Sequence, residues 1–331
     1  MKIILTGASG LIGNQLCNQL KQKGFDVFFL KRHLYNKATQ EKDWSSTKKN
    51  FWSNPAILEE ADAVVHLAGE NVAKRWTKAT KDRILNSRKE GTAALMEACK
   101  NCNTPPKHII SASGIGIYPE GSGEVLTEDS NHGTGFLATV CETWENALFQ
   151  NGPLGSKLSC LRTGIVLSNK SKILGITELQ FRIMGMVGTV GSPNNNWSWI
   201  HIQDLCAMCI ALIEGQMAPG IYNAVAPHPC SQMAFAQAYE KSAPIRLENT
   251  QNAIPAFWGL SCRINQIIQK LGITIRPNLP TSLIKLAWGE RAVIALTHQT
   301  VCAQKTIDTG FCYLYPTIES ALVNLHRNPQ C

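Results

Sequence analysis

A chain of 331 residues with 44% hydrophobic and 17% charged residues can build a sizeable core, which excludes a disordered or fibrous protein. Its formal charge of +8 comes from scattered Lys and Arg with no basic stripe interleaved with aromatics, so nucleic acid is not an expected partner; the charge reads first as a solvated basic surface, with anionic ligands such as nucleotides the alternative. No apolar run approaches bilayer length, Cys206 to Ile213 being far too short, and the first strand is read from residue 2; a cytoplasmic protein with no membrane partner is expected.

Lys2 to Leu5 reads as a short buried strand, followed by Gly7-x-x-Gly10-x-x-Gly13 and by Ile12, Leu16 and Leu20 at helical spacing. Each glycine has a task in a strand–turn–helix that holds a dinucleotide. Gly7 permits the tight turn, Gly10 lets the backbone approach the pyrophosphate, and Gly13 lets the helix pack close on the sheet. Free N–H groups at the helix start then face the phosphate charge. The alternative is a Gly-rich turn without a ligand; the strand before and the helix after favour the nucleotide site. Val27 to Leu30 reads as a second strand ending in Lys31-Arg32. A carboxylate at that place would bond the ribose hydroxyls of NAD, whereas two cations suit the 2′-phosphate of NADP, with Arg32 forking onto it. NADP(H) is therefore expected in preference to NAD(H), against the alternative of a solvated Lys–Arg pair.

Residues 36 to 60 are polar and irregular. Ala61 to Gly69 reads as a buried parallel strand that places Leu67, Ala68 and Gly69 at the carboxyl end of the sheet, with His66 a packed core residue. A helix over Lys78 to Lys100, a strand over Lys107 to Ser113, a loop with turn signals near Gly114 and Pro119, a helix over Phe136 to Phe149 and a strand over Leu158 to Leu167 follow. The alternation predicts an α/β protein: a Rossmann-like, doubly wound parallel sheet with a smaller, mostly helical C-terminal substrate lobe. The nucleotide domain is expected over 1–168, with returning strands from about 197–226. The lobe is expected over 169–331, its tail domain starting near 277.

In the second half, Trp197 to Ile202 and Gly220 to Val225 read as strands, and Asp204 as a helix cap. From Ser231 the pattern is largely helical, broken at Pro244, Pro255, Pro277 and Pro280. Leu283, Ile284, Leu286, Ala287, Val293 and Leu296 need a surface to cover, which makes the tail part of the folded body. Of the twelve cysteines, Cys99/Cys102 and Cys206/Cys209 have C-x-x-C spacing, but both pairs read as buried or incidental thiols, not as a metal site.

The ordered landmarks Thr6 to Gly13, His66-Leu-Ala-Gly69, Ile110 to Ser113 and Trp199 to Asp204 resemble the extended short-chain dehydrogenase/reductases. Arg75-Trp-Thr77, Ser87-Arg88-x-x-Gly91-Thr92, Glu124 to Asp129, Leu161 to Leu167 and the tail pattern Lys305, Gly310-Phe311, Tyr315-Pro316 narrow the likeness. They are similar to an atypical, poorly characterised NAD(P)-dependent "epimerase family" with a small C-terminal tail domain. The resemblance implies an NADP(H) site made by Gly7, Ser9, Gly10, Leu11, Ile12, Gly13, Lys31, Arg32, Leu67, Ala68 and Arg88. By itself Arg88 reads as an exposed helical cation.

The chain departs from the superfamily at the chemistry. Where the resemblance implies Tyr-x-x-x-Lys, this sequence has Phe136 and Val140, which offer neither an exchangeable proton nor a cation. Ser113 and Tyr118 remain as catalytic candidates, with Glu128 and Cys141 weaker and His201 structural. Ser113 reads equally well as a serine that satisfies backbone groups at a strand end. Tyr118 has no cation near it in sequence, so its pKa is expected to stay near about 10, a poor match for a base at neutral pH. The expected function is an NADP(H)-binding oxidoreductase or epimerase-like protein with an unknown small-molecule substrate. The alternative is a non-catalytic NADP(H)-binding redox sensor.

Overall fold

Alternating apolar residues decide the two faces of the central sheet. In the computed structural model, which describes residues 1–31, 55–243 and 276–328, strand β1 (Lys2–Thr6) sends Ile3 and Leu5 to one side and Ile4 to the other, all fully buried. Helix α1 (Leu11–Gln22) follows, then β2 (Asp26–Phe29), β3 (Ala63–His66), α2 (Lys78–Lys100), β4 (His108–Gly114), the short β5 (Val125–Leu126), α3 (Phe136–Phe149) and β6 (Lys157–Thr163). Gly164 separates β6 from β7 (Ile165–Leu167), where a Cβ would sit 2.5 Å from the Ser198 carbonyl oxygen. Further on come α4 (Lys172–Met184), β8 (Thr189–Val190), β9 (Asn196–Trp197), β10 (Trp199–His201), α5 (Ile202–Ile213), β11 (Ile221–Ala224), β12 (Cys230–Ser231) and α6 (Gln232–Ser242).

The main sheet has six strands in the order β11-β6-β4-β3-β1-β2, every neighbouring pair parallel. One face packs Leu16 and Leu20 of α1 and Leu205, Met208 and Leu212 of α5 against Ile3, Leu5, Val65 and Ile110. The other packs Leu95, Met96 and Cys99 of α2 and Leu148 of α3 against Ile4, Val64 and Ile109. This is the doubly wound, Rossmann-like sheet, which places its ligand-binding edge at the carboxyl ends of the strands. Cys206 and Cys209 are buried within the first of these layers, and burial pushes the Cys209 thiol up to about 12. No described helix is long and apolar enough to cross a membrane.

The tail runs through β13 (Asn278–Leu279), α7 (Thr281–Trp288), α8 (Val293–Leu296), β14 (Thr300–Val301), α9 (Gln304–Asp308) and α10 (Ile318–Arg327). Its anchoring differs from expectation. Leu283 and Leu286 are 54% and 84% exposed, and of the six apolar positions named only Ile284 is buried. The attachment comes from later residues: Ile318, Ala321, Leu322 and Leu325 pack on Phe235 and Tyr239 of α6, and β14 pairs in parallel with β5. Asp204 also departs from its reading. His201 is the cap of α5, its Nδ1 accepting from the Gln203 N–H at 3.1 Å. The Asp204 carboxylate instead accepts the backbone N–H groups of Leu314 (2.8 Å) and Tyr315 (3.1 Å) and so holds the tail.

Candidate active site

The turn after β1 has no room for side chains. Gly7 has φ +72°, and a Cβ on it would sit 2.7 Å from the Leu67 carbonyl carbon and 2.8 Å from the Ala68 nitrogen. A Cβ on Gly13 would lie 2.3 Å from the Gly7 carbonyl oxygen, and one on Gly10 3.2 Å from the same atom. The three glycines therefore fold β1, the Leu67-Ala68 turn and α1 tightly together. Thr6 locks the arrangement: its Oγ1 accepts the N–H groups of Leu67 (3.2 Å) and Ala68 (3.3 Å) and lies 2.8 Å from Nδ1 of the buried His66. Burial, seconded by the nearby Arg88 charge, pushes His66 down to about 3 and keeps it neutral.

Helix α1 opens at Leu11 with Gly10 as an extended cap, without a side-chain cap and without an acidic residue in its first turn. Its unpaired N–H groups and positive dipole end thus remain available to an anion. Ser9, Gly10 and Leu11 line a cleft of about 280 Å³ whose far wall holds Ser168, Lys170 and Ile202. This cradle fits a dinucleotide, since glycines bring the backbone to the cleft and nothing in the helix start competes for the phosphate. Ile12 follows Leu11, half-buried. Lys31 is exposed just beyond β2; the expectation placed on Arg32 lies outside the described residues.

Arg88 is not an exposed helical cation. It is 9% exposed, donates from Nη1 to the carbonyls of Glu70 (3.0 Å) and Ile84 (3.1 Å), and stacks its guanidinium 4.7 Å from the Trp144 ring. A Cβ on Gly69 would come within 3.1 Å of the guanidinium carbon, so Arg88 lies directly behind the turn formed by Leu67, Ala68 and Gly69.

The two catalytic candidates are brought together, but inside the protein. Ser113 Oγ donates to Glu145 Oε1 at 2.8 Å. Arg162 forks onto the same carboxylate, Nε to Oε1 at 2.9 Å and Nη2 to Oε2 at 2.8 Å. From Nη1 it also donates to the Tyr118 hydroxyl (2.9 Å) and the Glu128 carbonyl (2.9 Å). Tyr118 in turn donates to Asn223 Oδ1 at 2.7 Å, and Glu128 Oε1 accepts the Asn223 N–H at 2.8 Å. Ser113, Tyr118, Glu145, Arg162 and Asn223 are all buried.

This corrects two readings. Ser113 and Tyr118 spend their hydroxyls on a structural network that ties β4, α3, β6 and β11 together. Tyr118 does have a cation beside it, but burial outweighs Arg162 and pushes the phenol up to about 12, further from a useful base. Glu128 orients its loop, as the simpler reading had it. Cys141 is buried, and its thiol is pushed up to about 11. Arg162 and Glu145 escaped sequence reasoning. Their signal was an arginine inside an otherwise apolar strand and a glutamate on a face of α3 shared with Cys141, Trp144 and Leu148.

Where the resemblance implies the Tyr/Lys pair, Val140 is buried and Phe136 is half-buried, its ring 4.9 Å from Trp76 in an edge-on contact. The Lys81 ammonium lies 5.3 Å from the Phe136 ring and 5.8 Å from the Trp76 ring, and it pairs with Glu290 of the tail. Sequence reasoning did not find this cation, because it comes from the start of another helix.

Residues 3–139 match the NAD dependent epimerase/dehydratase family, and residues 279–325 match a domain of unknown function, DUF1731. The chain is thus similar to this epimerase family in both its nucleotide-binding part and its tail. Similar relatives agree along the whole length: an epimerase family protein of Staphylococcus aureus is 28% identical over 323 residues, 97% of this chain and 98% of its own. Among solved structures, a human epimerase family protein crystallised with NADPH superposes with a TM-score of 0.78 at 26% identity, covering 99% of this chain and 100% of that one. A nucleoside-diphosphate sugar epimerase from Corynebacterium glutamicum gives 0.69 at 25% identity, over 98% of this chain and 58% of that one. The Thermus thermophilus UDP-glucose 4-epimerase, in complex with NAD, shares the fold at 16% identity and a TM-score of 0.63, over 99% of each chain. This chain has the glycine cradle described above, and positions 136 and 140 hold Phe and Val.

Proposed function

We propose that this chain is a member of the epimerase family, binds NADP(H) and works as an oxidoreductase or epimerase-like protein on a small molecule, without a Tyr-x-x-x-Lys pair. The observation that carries the reading is the glycine cradle, with its uncapped helix start and a cleft on the phosphate side. The cations Lys31 and Arg32 and the NADPH in the human relative support NADP(H) over NAD(H). Gly7, Gly10 and Gly13 bring the backbone to the pyrophosphate, Ser9, Leu11 and Ile12 follow along the helix start, and Leu67 and Ala68 form the adjoining wall. Arg88 positions that wall from behind. When bound, the nicotinamide supplies hydride exchange. The protein's own contribution to proton movement is small here, since Ser113 and Tyr118 are committed elsewhere. Lacking a general acid–base costs about 10² to 10⁴ in rate, which suits a slow reaction or a substrate that needs little proton assistance.

The second reading is a non-catalytic NADP(H)-binding redox sensor, and the buried Ser113–Glu145–Arg162–Tyr118 network favours it. Calorimetry with NADPH and NADH tests the shared part, and equal affinities would sink the NADP(H) assignment. Arg32→Asp should weaken NADPH alone, by on the order of a hundredfold. Mass spectrometry of copurifying small molecules, followed by NADPH-oxidation assays on those found, separates enzyme from sensor. Turnover supports the first reading. A partner whose affinity differs between NADP⁺ and NADPH, without turnover, supports the second.

A further inference from the structure

The cleft at the start of α1 has a second wall, and that wall carries a cation that no sequence motif marked. Lys170 lies in the turn between β7 and α4, lines the cleft opposite Gly10 and Leu11, and makes no ion pair or side-chain hydrogen bond among the described residues. None of the described residues lining the cleft is acidic; the remainder include Ser9, Asn14 and Ser168. Ile202, the first residue of α5, also lines it, so the starts of two twelve-residue helices meet across one space. Asp204, the acidic residue in the first turn of α5, is already occupied by the Leu314 and Tyr315 N–H groups. The lining of the cleft therefore favours an anion: the dipole end of α1 and one ammonium unpaired among the described residues face it, with no carboxylate in the lining.

We propose that Lys170 is a cofactor-binding residue, closing over the dinucleotide pyrophosphate from the side opposite the glycine turn. The inference rests on the NADP(H) reading above and deepens it. It assigns one phosphate contact to the loop after β7, in addition to those the glycine motif supplies. Lys170 serves the pyrophosphate, common to both dinucleotides; the 2′-phosphate is left to the Lys31-Arg32 pair that follows β2 in the sequence.

That division gives the test. The full chain is titrated calorimetrically with NADPH and with NADH, in the absence of any substrate, as the parent, Lys170→Met and Lys170→Arg. Lys170→Met should weaken both dinucleotides by the same factor, roughly tenfold, and reduce the salt dependence of binding. Lys170→Arg should recover most of the loss. Because Lys170 is exposed, the melting temperature without ligand should not move, which separates a binding effect from a folding one. Unchanged dinucleotide affinity in Lys170→Met overturns the proposal, and so does a loss confined to NADPH, which would put Lys170 on the 2′-phosphate. A parent protein that binds neither dinucleotide overturns the cofactor reading itself, a result visible before any variant is made.

Discussion

Arg162→Met is the most direct probe of the buried network. Methionine keeps most of the stem volume but removes the guanidinium, leaving the Glu145 carboxylate, 6% exposed, with the Ser113 hydroxyl as its remaining hydrogen-bond donor of the three. The Tyr118 hydroxyl and the Glu128 carbonyl each lose a donor as well. Breaking a buried pair from one side costs about 3–5 kcal/mol, because the orphaned charge keeps its desolvation penalty and loses its partner. For a chain of this size, that corresponds to a fall in melting temperature on the order of 10 °C. The compensating double change, Arg162→Met with Glu145→Leu, removes both charges and should recover at least half the loss. Urea unfolding of the parent, the single and the double variant gives all three numbers. A loss below about 1 kcal/mol in the single variant, or a double variant no better than the single, would refute the view that Arg162 and Glu145 form a desolvated pair.

Three further outcomes are expected. Leu322→Ala in α10, fully buried against α6, should cost about 2–5 kcal/mol by urea unfolding, and a loss under about 0.5 kcal/mol would mean the tail is not docked as described. Burial pushes Asp204 up to about 6, so its contribution to stability is largest below about pH 4 and is lost as pH rises through 6; the melting-temperature difference between parent and Asp204→Asn should shrink across that window, and a constant difference would contradict the assignment. Phe136→Tyr would set a phenol beside the Lys81 ammonium, so ultraviolet titration should show one new group ionising below about pH 10, whereas a value at or above 10 would place Lys81 too far away to matter.

Legibility in the sequence followed the range of the interactions. The glycine turn, α1 and the bounds of α2 were readable because strand, turn and helix signals sit within a few residues of one another. Asp204 was misread for the complementary reason: a carboxylate in a first turn looks like a cap, while its actual partners are backbone groups more than a hundred residues away. Arg88 could be recognised as non-solvated only by knowing that Trp144 of α3 lies against it. Ser113 illustrates a different limit. Its place at the end of β4 was legible, but a strand has two faces, and only the packing of α3 over β4 and β6 decides that the hydroxyl meets Glu145.

The tail packs into the region around Tyr118 and Phe136. Gln299 donates to the Tyr118 carbonyl at 2.9 Å, the Cys302 carbonyl accepts from Asn223 Nδ2 at 3.1 Å, and the Val301 N–H bonds Ser198 Oγ at 2.8 Å. Nearer the front, Arg291 donates to the Ala73 carbonyl at 3.1 Å, and Glu290 pairs with the same Lys81 that lies over Phe136. Val140 is buried, Phe136 is braced by Trp76, and the Lys81 ammonium over its ring pairs with Glu290 of the tail. A lysine at position 140 would have to bury its charge, at a cost of several kcal/mol if it stays unpaired. Phe136 and Val140 are thus packed positions in this fold, and the Lys81 that faces Phe136 is tied through Glu290 to the Gly289–Ala292 turn of the tail.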